Sequence, residues 1–273
     1  MNGAIETHRS FVNSWECDEN VHMNIQFYWK RFGEAARIFF HLNGISPQPW
    51  IDRHVRYHGE LMMGTNTIVR SAAGPGHTTT VHHLMNGDSD TLSATAIDTY
   101  PKSVEAMSSE PSALPDEAVA RSLPTEALEP VDTFQIIQSG RGLVSNRCVV
   151  TPQECDARGL LLDQHLNARF SDAASHLWHF LGVSRDWMRE RNLGTVAVEM
   201  KASRHHEVRA GALMEVVSWA EETRPKTITF RHQVSDMEGG QPLFSGAVTA
   251  LLMDLKTRRA VELPQIVHRA LKD

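Results

Sequence analysis

Residues 16–44 read ECDENVHMNIQFYWKRFGEAARIFFHLNG, and residues 154–182 read ECDARGLLLDQHLNARFSDAASHLWHFLG. Aligned without a gap, Glu16-Cys17-Asp18 falls on Glu154-Cys155-Asp156, Phe32 on Phe170, Ala35-Ala36 on Ala173-Ala174 and Gly44 on Gly182, always 138 residues apart. Solenoid units recur every ~20–50 residues, so a period this long marks a whole duplicated domain. The match continues downstream. His58 and Glu60 fall on His205 and Glu207 at a separation of 147, and His83 falls on His232 at 149. Leu114-Pro115 and Leu263-Pro264 close the two copies at that same separation, so the duplication spans nearly all 273 residues.

Ile25, Tyr28, Phe32, Ala35, Ala36 and Phe39 recur at helical spacing, as do Leu162, Leu166, Phe170, Ala173, Leu177 and Leu181. This predicts a helix of about five turns in each copy, ending at Gly44 and Gly182. Phe27, Trp29, Ile38 and Phe40 lie off the stripe, which predicts a helix covered on most sides. Strand patterns precede each helix at His8–Trp15 and Leu143–Thr151. Others follow at Thr65–Ala72, Thr78–Met85 and Leu92–Tyr100, and again at Leu213–Ala220, Thr227–Val234 and Leu243–Leu255. One long helix and an antiparallel sheet per copy make an α+β fold. The expected domains are residues 1–104, a linker over 105–130 with Pro111, Pro115, Pro124 and Pro130, and residues 131–273. The linker composition suits a surface connection, with a short helix in DEAVARSL and another in QIVHRAL near the C-terminus.

Hydrophobic content of 41% with 22% charged residues is that of a soluble globular protein. No apolar run reaches the roughly 18 residues that span a bilayer, and the start MNGAIETHRSF lacks a signal-peptide pattern. The expectation is a cytoplasmic protein with no membrane insertion. A net charge of −6 without a basic stripe argues against nucleic acid, while Arg53, Arg56, Arg204 and Arg209 remain candidates for an anionic ligand. Cys17, Cys148 and Cys155 fit neither a disulfide framework nor a zinc pattern, and carboxylates beside Cys17 and Cys155 would raise a thiol pKa. No H-E-x-x-H, G-x-G-x-x-G or Walker sequence occurs, so neither metal nor cofactor is expected.

Chemistry concentrates in Asp18-Glu19-Asn20-Val21-His22-Met23-Asn24, which ends where the helix begins. Unpaired N–H groups at a helix start can hold a carbonyl oxygen as it becomes an oxyanion. A carboxylate just ahead can act as base or nucleophile, and a histidine and amides can orient water. Together these are parts for acyl transfer to water. Asp18 is matched by Asp156 and Glu60 by Glu207, but Asn20 faces Arg158, His22 faces Leu160 and Asn24 faces Leu162. The expectation is one competent site in the first copy.

At these residues a resemblance becomes specific. Asp18 through Tyr28, with Glu34 beyond, resembles the D-x-x-G-H-x-N-x-x-x-Y signature of 4-hydroxybenzoyl-CoA-type acyl-CoA thioesterases, which have the hotdog fold. The same string, with Tyr57-His58-Gly59-Glu60 downstream, resembles the D-x-N-x-H-x-N-N motif of acyl-ACP thioesterases, which are double-hotdog chains. Val21 replaces the usual Gly and Ile25 the second Asn. The resemblance implies two tandem hotdog domains and a thioester hydrolase acting on an acyl-CoA, with acyl-ACP as the lesser option. It casts Asp18 as the leading carboxylate and Asn20, His22 and Glu60 as its catalytic partners. Met23 and Asn24 sit near the helix start that polarises the carbonyl. The rivals are a hydratase or dehydratase on enoyl or 3-hydroxyacyl thioesters, and a non-catalytic acyl-thioester binder. Asp18 also reads as a loop brace, and Glu60 as a structural residue shared with Glu207. Exposed sheet edges leave a homo-oligomer open.

Overall fold

A computed structural model describes residues 3–104 and 113–271; Pro111 of the expected linker lies outside them. The chain divides into two compact units. The first comprises residues 1–121 together with Leu162–Asn167, and the second Ser122–Leu161 with Ala168–Asp273. The division thus falls inside the expected linker, not at either end of it.

In the first unit β1 (Ile5–Phe11) leads to helix α1 (Ile25–Leu42), followed by β2 (Asp52–Tyr57), β3 (Asn66–Ala73), β4 (Thr79–Asn86) and β5 (Thr91–Thr99). The strands pair antiparallel in the order β1-β3-β4-β5-β2. The second half of the chain repeats the plan, except that the start of its long helix, through Asn167, belongs to the first unit. Helix α2 (Thr133–Gln138) precedes β6 (Gly142–Val149), α3 (Asp163–Phe180), α4 (Arg185–Glu190), β7 (Leu193–Arg204), β8 (Leu213–Thr223), β9 (Thr227–Asp236) and β10 (Pro242–Asp254). Its sheet runs β6-β8-β9-β10-β7, with β11 (Arg259–Ala260) on β10, and α5 (Gln265–Arg269) closes the chain. Each unit is a long helix against an antiparallel sheet, the α+β tandem hotdog arrangement expected.

Both long helices have 18 residues, about five turns. Tyr28, Trp29, Phe32, Ala35, Ala36, Phe39 and Phe40 of α1 are buried, whereas Ile38 and Leu42 stay exposed, so the covering is less complete than the sequence suggests. Gly44 and Gly182 adopt φ of 67° and 84°, the left-handed turn that ends a helix at no steric cost to glycine. β1 ends four residues early because Ser14–Glu16 coil into a 3-10 turn.

A β-bulge occurs at the same place in both copies, between Glu6 and His8 and between Val144 and Asn146. It turns Thr7 and Ser145 inward. Thr7 meets Ser71 at 2.6 Å and Ser71 meets His82 Nδ1 at 2.6 Å; Ser145, Ser218 and His232 repeat the chain at 2.6 and 2.7 Å. His82 lies against Phe32 and His232 against Phe170, so the equivalent of His232 is His82, not the expected His83. The β8–β9 hairpin is longer, and a one-residue slip moves a side chain to the other face of a sheet. His83 accordingly faces away from the helix, where burial above all pushes its pKa down to about 4.

That outer face explains the linker. DEAVARSL forms turns, not a helix. Its backbone caps buried groups instead: Arg56 donates to the Asp116 and Val119 carbonyls, and Thr95 to that of Glu117. On the second sheet Glu199 accepts from Ser122, Lys201 donates to the Thr125 carbonyl and Ser203 accepts from the Leu128 N–H. Leu123 and Leu128 pack on Ala247. The segment is a strap over polar sheet faces, because those faces need hydrogen-bond partners that solvent no longer supplies.

Candidate active site

The loop before α1 is fixed from below by a buried ion pair. Glu16 caps its own 3-10 turn through the Asn13 N–H, and Arg31 of α1 donates to its carboxylate at 2.8 Å. Arg31 is 1% exposed and also donates to the Phe11 and Phe27 carbonyls. Burial alone would raise the Glu16 carboxyl, but the Arg31 and Asn13 hydrogen bonds outweigh it and the net shift is downward. The pair recurs as Glu154 and Arg169. The pair could have been found in the sequence, since Glu16 and Arg31 repeat in register as Glu154 and Arg169.

Above the pair, a bridge between Cys17 and Met23 closes the loop. Asp18 Oδ1 accepts from the Asn20 N–H at 2.8 Å and the His22 N–H at 3.1 Å, while its own N–H donates to the His22 carbonyl at 2.8 Å. The same bonds tie Asp156 Oδ1 to Arg158 and Leu160. One carboxylate oxygen therefore braces the loop in both copies. The other differs. Asp156 Oδ2 is gripped by the Arg158 guanidinium at 2.9 and 3.0 Å, whereas Asp18 Oδ2 makes no hydrogen bond among the described residues. Arg158 stands where the first copy has Asn20, which is exposed.

At the tip of the loop Val21 adopts φ 64°, where the second copy has Gly159 at 75°. A β-branched residue in that region carries roughly 1–2 kcal/mol of strain. Glycine would release it at an entropic cost of about 0.5–1 kcal/mol. Val21→Gly should thus leave stability unchanged or raise it by up to ~1.5 kcal/mol. A lower urea midpoint at unchanged m-value would contradict this.

Asn24 is the N-cap of α1, its side chain accepting from the Gln26 N–H at 3.1 Å. The Phe27 N–H goes to the Asn24 carbonyl, which leaves the Ile25 N–H without a hydrogen bond among the described residues. That amide carries the positive end of the helix. Met23 does not share this role: its N–H donates to the Leu61 carbonyl at 2.7 Å and its side chain is buried. His22 and Glu60 do come together, with His22 Nδ1 3.5 Å from Glu60 Oε1. Glu207 instead makes an exposed pair with Arg209. Glu34 faces β1, its carboxylate on His8 at 2.9 Å and Lys30 at 3.2 Å.

The other candidates have structural roles. Arg53 is bound by Asp98 and Asp163, Arg56 by linker carbonyls, Arg204 lies over Phe244, and Arg209 serves Glu207 and the Arg158 carbonyl. Cys17 and Cys155 donate to the Asn13 and Thr151 carbonyls. Burial first, then the flanking carboxylates, raises both thiols. Among the described residues no three His, Cys, Asp or Glu side chains could hold a metal ion, and no helix is long and apolar enough to cross a membrane.

Residues 150–271 match the family described as the thioesterase-like superfamily. No curated protein matches the chain in sequence. In structure it is similar to a protein assigned as an oleoyl thioesterase from Lactobacillus plantarum, with a TM-score of 0.64 at 8% identity over 92% of this chain and 97% of that one. An acyl-ACP thioesterase from Bacteroides thetaiotaomicron gives 0.60 at 8% identity over 89% and 96%, and a 12:0-ACP thioesterase from Umbellularia californica 0.58 at 11% over 90% and 93%. The chain has the tandem hotdog fold of thioesterases, and its second repeat is matched by the thioesterase-like superfamily.

Proposed function

We propose that the chain hydrolyses an acyl thioester to a free acid and a thiol, with an acyl-CoA as substrate ahead of an acyl-ACP, at a single site in the first repeat. One observation carries the reading: the outer carboxylate oxygen is open in Asp18 and closed by Arg158 in Asp156. Asp18 Oδ2 acts as base toward a water held by Asn20, His22 and Glu60, or attacks directly as nucleophile. As the carbonyl carbon becomes tetrahedral, the Ile25 N–H at the start of α1 holds its oxygen; when Asp18 is the base, the C–S bond breaks and the proton taken from water passes to the thiolate, and when it is the nucleophile, C–S cleavage leaves an acyl–Asp18 anhydride that water then hydrolyses to the acid, freeing the carboxylate and giving the thiolate its proton. Preorganised donors of this kind are each worth ~10²–10³ in kcat.

The test copies the inactive repeat into the active one. Asn20→Arg should bring a guanidinium onto Asp18 as Arg158 sits on Asp156, lowering kcat by roughly 10²-fold or more. Thiol release from short, medium, long, branched and aromatic acyl-CoAs reads the effect. Unchanged turnover in the variant would remove Asp18 from the mechanism. If no member releases thiol, enoyl-CoA hydration and acyl-ACP hydrolysis separate the lyase and carrier-protein alternatives.

A further inference from the structure

The backbone bonds of the segment that carries Glu60 are alike in both repeats, and in the second Arg209 adds a side-chain bond to the Arg158 carbonyl. The Met23 N–H donates to the Leu61 carbonyl and the Leu161 N–H to that of Val208. His22 bridges Met62 as Leu160 bridges Arg209, and the Met63 N–H reaches the Val21 carbonyl as the Ala210 N–H reaches that of Gly159. The backbone holding this segment is therefore complete without any further support. The first repeat nevertheless adds one. The Tyr28 hydroxyl accepts from the Leu61 N–H at 3.1 Å and donates to the Gly59 carbonyl at 3.5 Å, so it spans the two peptide groups that flank Glu60. The second repeat has Leu166 at that position.

The ring is held firmly. Tyr28 is 4% exposed and stands edge-on to Tyr57, with centroids 5.4 Å apart and planes at 84°. Burial above all pushes its hydroxyl up to about 12, so it keeps its proton and its donor role across the working range of pH. What the first repeat has and the second lacks is the contact of Glu60 with His22. A clamp found only where that contact exists, on the residues either side of Glu60, belongs to the contact and not to the fold.

We infer that Tyr28 is a positioning residue, whose hydroxyl sets the Glu60 carboxylate against His22. This rests on the thioesterase reading for its effect on rate, but not for its effect on the His22–Glu60 contact. A displacement of about 1 Å in a positioned group can cost ~10²-fold, and the clamp is one of several restraints, so Tyr28→Phe should lower kcat by about 10-fold with KM little changed. The ring and its packing on Tyr57 are retained.

The experiment is a double-mutant cycle in the full chain with Tyr28→Phe, Glu60→Gln and both together. If Tyr28 acts through Glu60, the double variant falls no further in kcat than Glu60→Gln alone; a purely structural role would multiply the two losses and would overturn the inference. NMR of the His22 ring reads the contact without turnover. In Tyr28→Phe its resonances should move toward their positions in Glu60→Gln, and resonances coincident with wild type would sink the clamp. No thiol release from wild type, together with the resonance shift in Tyr28→Phe, would retire the thioesterase reading and leave the clamp standing.

Discussion

Asp18→Asn is expected to lower kcat for thioester hydrolysis by about 10³-fold while leaving the thermal midpoint near that of wild type. The substitution separates the two duties of the side chain. Asparagine Oδ1 can still accept from the Asn20 and His22 N–H groups, so the loop keeps its brace. What disappears is the charge on Oδ2, the atom left open in this copy alone. Asp156→Asn is the matched control. It touches the same backbone positions and should leave turnover within about twofold, since Arg158 already occupies its outer oxygen. Near-normal kcat in Asp18→Asn, measured by thiol release on the best substrate of the panel, would overturn the assignment. A lowered thermal midpoint in both variants would show that the brace, not the charge, had been lost.

The second large effect is on stability. Arg53 is fully buried and donates to both oxygens of fully buried Asp98 at 2.6 Å, with Asp163 on its remaining side at 2.8 Å. Its guanidinium lies over Trp29 and Trp50, 5.5 and 5.2 Å from the ring centroids. His82 and the Tyr100 hydroxyl also reach Asp98. Burial by itself would raise the Asp98 carboxyl, but the Arg53 charge and its hydrogen bonds hold it far below the usual carboxylate range. Arg53→Met strips the counter-charge and should cost about 3–5 kcal/mol at neutral pH. The sign with pH follows from linkage. In wild type the depressed Asp98 pKa contributes stability above the unfolded value of ~3.9 and loses it as pH falls further. In the variant the buried carboxyl is raised instead, so ionising it costs stability as pH climbs. The deficit should therefore be larger at pH 7 than at pH 4, as read from urea unfolding at each. An equal deficit at both would show that lost packing, not the unpaired carboxylate, is responsible.

Much of this molecule was legible because it is written twice. The repeat revealed both long helices, four strands in each copy and the loop where the copies diverge. It also showed that Asp18, His22 and Glu60 belong in one discussion, since difference between copies is information that a single domain lacks. What escaped was the polar interior. β2 reads DRHVRY, four of whose six residues are buried although three of those are charged or polar, and no hydrophobic period marks such a strand. β7 carries Glu199 and Lys201 in the same way, each hidden beneath the strap. Partners such as Asp98 for Arg53, 45 residues away, exist only after folding. Met23 looked eligible for the oxyanion because it stands beside the helix start, but its N–H is taken by the Leu61 carbonyl, a pairing that exists only after folding. The His83 equivalence failed for want of the hairpin length, which sequence identity alone could not fix.

The ion pair of Arg53 also bears on the history of the chain. In the alignment of repeats, Asp163 occupies the place of Ile25. The first repeat thus completes its charged interior with a residue that its own sequence does not encode at that position. A subunit made of first repeats alone would offer isoleucine there, and Arg53 would lose one of its two carboxylates. The charged interior around Arg53 is thus encoded in two distant places of the chain, on β2 and β5 and at the start of α3.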